Sequence, residues 1–155
     1  MRKNQKGFSL IELLIVVSII LIIAAIAIPN LISARMAANE SSSVASLRTL
    51  QTACETYSSY YGVGYPAALA NMSPAAVPSS TSADLIDSNL ASGTKSGYSF
   101  VYTPGAPDVN GFISSYTINA NPLSSSTGTR YFYVDQSAVL TYAYGAPAAI
   151  TDTPL

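Results

Sequence analysis

MRKNQKGFSLIELLIVVSIILIIAAIAIPN, residues 1–30, joins a basic leader through Gly7-Phe8 to an apolar run that holds a single acid, Glu12, and ends at Pro29. The run from residue 8 to 28 has 21 residues. As a helix at about 1.5 Å per residue it spans about 31 Å, the thickness of a bilayer's hydrocarbon core. An acid at the centre of such a helix costs roughly 2.5 to 3.5 kcal/mol on insertion scales, so Glu12 needs a physical reason. Two general readings leave it without one. A secretory signal would use Ala25-Ile26-Ala27 as its cleavage site, but its apolar region is shorter and has no use for an acid. A plain signal anchor explains the length and not the carboxylate.

The motif Lys6-Gly7-Phe8-Ser9-Leu10-Ile11-Glu12, followed by aliphatic residues and preceded by Arg2, Lys3 and Lys6, resembles the class III leader and N-terminal helix of type IV pilins and the related pseudopilins of type II secretion. The resemblance implies cleavage between Gly7 and Phe8 by a membrane-embedded prepilin peptidase, with N-methylation of the new Phe8 amine. It also implies that Glu12 directs docking of an incoming subunit. Physics agrees: an unpaired carboxylate in an apolar helix bundle is destabilising, while one facing the cationic amine of a neighbour's Phe8 is compensated, so a subunit out of register leaves both charges unpaired. The basic leader holds the N-terminus in the cytoplasm. The remainder then lies outside the inner membrane. Pro29 removes a hydrogen bond and crowds the preceding turn, which predicts a kink or local melting. Members of the family carry a Pro there.

The bulk composition narrows the function classes. The chain has no His, no Trp and one Cys, so no Ser-His or Cys-His pair can form and no intramolecular disulfide is possible. An enzyme is not expected, nor a cofactor, nor a metal centre. The major pseudopilins close a C-terminal calcium loop with clustered acids, whereas Asp135 and Asp152 stand 17 positions apart. Without the leader, four basic residues face eight acidic ones, and beyond Arg48 only Lys95 and Arg130 are basic. No basic patch for stable nucleic-acid binding is present.

The rest of the chain reads as one α+β domain on a long helix. Residues 31–61 keep a helical pattern, with Val44, Leu47, Leu50, Cys54, Tyr57 and Tyr61 on one stripe. Arg35, Glu40, Arg48, Glu55 and Ser41-Ser42-Ser43 fall on the outer face, and Gly62 and Gly64 end the helix. Cys54 on the inner stripe reads as a small buried hydrophobe. Residues 62–97 form a long connection rich in Pro, Gly, Ser and Ala, with short helical pieces at 66–72 and 82–90, the second capped by Ser82 with Asp84 in its first turn. From residue 98 the period becomes two, and strands at 98–102, 114–120, 129–134 and 138–144 predict an antiparallel meander of about four strands against the helix. The tail, 145–155, reads as extended coil. Relatives often close this region with a disulfide, which one Cys cannot make, so dense Tyr packing is the expected substitute.

The organisation is therefore a cleaved leader (1–7), a transmembrane assembly helix (8–29) and a globular domain (30–155) with helix, loop, sheet and tail at 30–61, 62–97, 98–144 and 145–155. The function expected from the resemblance is a structural subunit of a type IV pilus, a filament used for adhesion, twitching motility or DNA uptake. It is stored in the inner membrane, handed to a pilus or secretion assembly platform and packed against identical or homologous subunits at the cell surface. A type II secretion pseudopilin is the alternative.

Overall fold

The computed structural model describes residues 7–155. The leader residues Arg2, Lys3 and Lys6 lie outside the described residues. The chain divides into two compact units, Met1–Arg35 and Met36–Leu155.

Helix α1, Leu10–Tyr61, supplies most of the first unit and the first element of the second. It runs through Pro29 with no interruption of its helical assignment. The melting expected from Pro29 is not a feature of the isolated chain. Nearly every side chain between Phe8 and Ile32 is exposed. The apolar run is long and apolar enough to cross a membrane, and none of it is buried within the fold. Ser18 is satisfied internally, its hydroxyl donating to the Leu14 carbonyl at 2.8 Å.

In the second unit the stripe of α1 packs as its spacing predicts. Leu47, Leu50, Cys54 and Tyr57 are buried, with Val44 and Tyr61 partly covered. They meet a six-stranded sheet in simple meander order, β1 (Thr94–Lys95), β2 (Tyr98–Pro104), β3 (Tyr116–Pro122), β4 (Arg130–Asp135), β5 (Thr141–Tyr144) and β6 (Thr153–Pro154), with every pair antiparallel. Registers Phe100↔Ala120, Ala120↔Phe132 and Ile118↔Val134 put the apolar residues of period two on the face toward α1. The four expected strands are present with shifted ends, and the two further strands are two-residue edges too short to show a period.

Tyrosines close this core. The rings of Tyr57 and Tyr98 are buried and that of Tyr102 is half-buried, while their hydroxyls satisfy carbonyls of loops and strands: Tyr57 donates to Ser80 at 2.6 Å, Tyr102 to Pro66 at 2.7 Å and Tyr98 to Arg130 at 2.9 Å. Gly64, at φ +84°, bridges Ile113, and a Cβ there would collide with the Ile113 backbone. No other residue type fits that crossing.

Four sequence expectations are corrected. The short helix in the connection is α2, Ser88–Ala91, and its cap is Asp87, whose carboxylate accepts from the Asn89 and Leu90 amides and pairs with Lys95 at 2.8 Å. Ser82 instead pairs with Ser79 across a tight turn, and Asp84 takes a left-handed φ of 55°. The piece at 66–72 shortens to a 3-10 turn at Leu69–Met72. Glu40 and Ser43 are buried rather than outward, because the 127–130 segment folds over that side of α1. The tail is also not free coil. Asn119 donates to the Ala148 carbonyl at 2.8 Å, Thr141 to that of Ala149 at 2.7 Å, and the Leu155 amide to Leu140 at 2.9 Å. Within this strap Ala148 is buried. Hydrogen bonds to the outer row of the sheet hold the C-terminus, where tyrosine packing was the expected device.

Two measurable consequences arise here. Ala138 sits at φ 65° in the turn between β4 and β5. Ala138→Gly relieves that left-handed strain and should raise stability by roughly 0.5 to 1 kcal/mol, read from a denaturant midpoint. Burial, with Glu55 adding to it, pushes the Cys54 thiol from 9.0 up to about 12. Its thiolate at pH 8 is about a thousandfold scarcer than that of an unshifted thiol. A thiol reagent should therefore label Cys54 only after denaturation.

Candidate functional site

The chemistry of the first unit is concentrated where α1 begins. Gly7, Phe8 and Ser9 precede the helix, with Phe8 89% exposed. The Ser9 carbonyl accepts the Leu13 amide at 3.3 Å, which makes Ser9 the cap residue. Glu12, three residues on, turns back so that its Oε2 accepts the Ser9 amide at 2.8 Å. This is the reciprocal half of a capping box: a carboxylate one turn into the helix satisfies an amide that has no partner along the axis, and its charge suits the positive end of the helix dipole.

The sequence carried a signal for this arrangement that spacing arguments about the apolar run passed over. Ser9-x-x-Glu12 is the capping-box pattern itself. Glu12 therefore has a local role besides any role between subunits. The bond to Ser9 occupies one carboxylate oxygen, and among the described residues Oε1 accepts none. That oxygen remains available to a cationic donor.

The structure brings Phe8, Ser9 and Glu12 to one helix start. Phe8 and Glu12 are four positions apart, within a turn of each other. Pro29 is separate from them, 17 positions past Glu12 along the same helix. Gly7 meets no neighbouring atom within 4 Å of where a Cβ would stand, so the bond between Gly7 and Phe8 lies open in the described chain. Around this site every large aliphatic side chain from Leu10 to Ile28 is at least 46% exposed. Such a surface needs lipid or other apolar helices to cover it.

Among the described residues no cluster of three or more Cys, Asp or Glu side chains is placed to hold a metal ion. The acids that are buried or paired already have partners. Glu40 takes four donors from Thr129 and Arg130, and Asp135 accepts from Tyr133 and Ser137.

Comparison with known proteins agrees with this geometry. Residues 2–28 match the family described as the prokaryotic N-terminal methylation motif. The chain is 63% identical over 38 residues to the type IV wide pilus major component PilA4 of Thermus thermophilus, covering 24% of this chain and 29% of that protein. It is 48% identical over 54 residues to the type IV major pilin protein PilA of Myxococcus xanthus, covering 35% of this chain and 24% of that one. The likeness thus spans about a quarter of the length of these curated relatives. No solved structure matches. In its Gly7-Phe8 junction, its acid one turn into the helix and its exposed apolar run, the N-terminal helix of this chain is similar to that of these type IV pilins.

Proposed function

We propose that the chain is a structural subunit of a type IV pilus rather than an enzyme. The observation that carries the reading is the exposed apolar start of α1 with one carboxylate near its beginning. A helix with no cover of its own is stored in lipid and, in the filament, covered by the same helix of other copies. Both named relatives are pilus subunits, which favours the pilus over the type II pseudopilin.

The open Gly7-Phe8 bond at the helix start supports a maturation route. A prepilin peptidase cuts the open Gly7-Phe8 bond, the Phe8 amine is methylated, and the leader leaves. Before assembly the subunit sits in the inner membrane as a single pass with its N-terminus in the cytoplasm. Glu12 caps its own first turn through Oε2 while Oε1 receives the amine of a neighbouring Phe8. The membrane-stored chain thus keeps its acid hydrogen-bonded until a register-matched partner arrives. Pro29, tolerated within a continuous helix in the single subunit, is the position at which α1 yields once neighbours can satisfy the released carbonyl. An assembly platform brings the copies together, and the filament emerges at the cell surface.

The test is mass spectrometry and electron microscopy of filaments sheared from cells. The expected subunit begins at methylated Phe8 and is recovered in long filaments. Recovery only from the membrane fraction, or a mature chain beginning at Ile28, would sink the reading.

A further inference from the structure

Most of the eleven tyrosines pack or cap loops, but Tyr65 is placed for proton transfer. It follows the Gly64 crossing, and its amide donates to the Ile113 carbonyl at 2.8 Å. From that fixed backbone its hydroxyl donates to Glu55 Oε1, near the end of α1, at 2.9 Å. Glu55 is exposed, and among the described residues its carboxylate accepts no other hydrogen bond. A proton handed to it passes on to water. Burial, and then the Glu55 carboxylate, push the Tyr65 phenol from 10.0 up to about 12. At neutral pH the phenol therefore holds its proton and sheds it only when the ring is oxidised.

Tyr65 is also the outer end of a trio of rings. Its ring meets that of Tyr116 edge to face, with centroids 4.6 Å apart, and Tyr116 stacks on Tyr102 at 5.8 Å. The two inner phenols lack a base. Tyr116 is buried and its hydroxyl has no partner. Tyr102 donates to the Pro66 carbonyl at 2.7 Å, and an amide oxygen does not keep a proton at neutral pH. A phenol that gives up an electron becomes a strong acid, and one that cannot release its proton is left as an unpaired cation in apolar surroundings. An electron vacancy on Tyr116 or Tyr102 is therefore filled from Tyr65. Among the described residues one other phenol donates to a carboxylate, Tyr133 to Asp135 at 3.1 Å. Asp135 is buried and already accepts the Ser137 amide and hydroxyl, so a proton placed there has no direct exit to water.

We propose that Tyr65 is the one-electron oxidation site of the Met36–Leu155 unit, with Glu55 as its proton acceptor. The oxidant is a one-electron acceptor of the peroxyl-radical or high-valent metal-complex class. The Tyr65 O–H bond breaks, its electron reduces a peroxyl radical to a hydroperoxide anion, and its proton goes to Glu55 Oε1. A neutral tyrosyl radical and a neutral carboxylic acid remain, and Glu55 returns the proton through water to the hydroperoxide anion. A second phenoxyl radical then joins the Tyr65 ring through a carbon–carbon bond ortho to oxygen. Each ring moves its displaced hydrogen from carbon to oxygen and regains aromaticity, so no atom is lost.

The test uses the full chain in detergent. Photogenerated ruthenium(III) tris-bipyridine is the oxidant, reduced to ruthenium(II), and N-acetyltyrosine amide supplies the second phenoxyl radical. Adducts are mapped by mass spectrometry after denaturation and digestion. Tyr60 and Tyr144, 79% and 67% exposed, are the references for simple accessibility. The expected result is more adduct on half-buried Tyr65 than on either of them. In Glu55→Gln the amide oxygen still accepts the phenol but cannot hold its proton. That variant should lose Tyr65 adduct by about tenfold or more, as water replaces a positioned base. Its Tyr144 adduct should match the parent's, which shows that the fold is kept. Adducts ranked by exposure, with Tyr60 and Tyr144 ahead of Tyr65, overturn the proposal. An unchanged Tyr65 yield in Glu55→Gln overturns it also, since the hydrogen bond is then a structural link alone.

Discussion

Glu12→Ala should leave cleavage at Gly7-Phe8 and methylation of Phe8 unchanged while surface filament falls by about a hundredfold or more. The size follows from the environment. Removing one partner of a buried ion pair costs roughly 3 to 5 kcal/mol, because the other charge is left uncompensated in apolar surroundings. At about 1.4 kcal/mol per decade, that is roughly two to three and a half orders of magnitude in the docking equilibrium. A second, smaller loss accompanies it, since the Ser9 amide loses its acceptor at 2.8 Å. Glu12→Gln separates the two effects. Its amide oxygen can still cap Ser9 but carries no charge for a neighbouring amine, so helix content should be kept and filament lost. Quantifying mature subunit by mass spectrometry in membrane and sheared fractions checks both variants. Full filament yield from Glu12→Gln would show that the acid serves its own helix alone.

Glu40→Ala should destabilise the globular unit by roughly 2 to 4 kcal/mol, the largest effect expected of any single polar side chain in the second unit. Oε1 accepts the Thr129 amide at 2.9 Å, the Thr129 hydroxyl at 3.2 Å and the Arg130 amide at 3.2 Å. Oε2 takes the Arg130 guanidinium at 2.7 Å, which also lies over the rings of Phe132 and Tyr142. Truncation leaves two backbone donors at the start of β4 without their acceptor, and it detaches α1 from that strand.

Glu40 also makes stability depend on pH. Burial by itself would raise its pKa, but the donors from Thr129 and Arg130 outweigh burial and hold it below the ordinary 4.5. A carboxylate whose folded pKa is depressed contributes stability above its unfolded value, and loses that contribution as pH falls through the folded one. Thermal melts of the full chain in detergent should therefore lose stability below about pH 4.5. The Glu40→Ala variant should show a shallower decline over the same interval. Equal slopes in the two proteins would remove Glu40 as the titrating group.

The helix and the site at its start were legible in the sequence because their determinants are local. An unbroken run of aliphatic residues, a helical stripe from Leu47 to Tyr57 and a Ser-x-x-Glu cap each act within a turn or two of the chain. They do not wait for tertiary contacts to be interpreted. The same holds for the four longer strands, where Phe100, Ile118, Phe132 and Val134 recur at period two. Where the reading failed, the competing influence was distant in sequence. Ser82 and Asp84 form a plausible cap pattern, but Met72 and Ser73 claim the Asp84, Leu85 and Ile86 amides, and the helix begins later, at Asp87. Glu40 has the pattern of an outward charge, and only the arrival of Thr129 and Arg130, some 90 residues on, makes burial tolerable.

By itself the sequence determined that this chain has a membrane-length helix with one acid at its start and an amphipathic continuation packed on a meander. Those features depend on periodicity and on the hydrophobic effect acting on neighbours in the chain. Tertiary structure alone decided that Glu40 is a clamp and that the tail is strapped across Asn119 and Thr141. Burial of a charge and capture of a free end both depend on partners brought together by folding, and local sequence pattern carries no record of them.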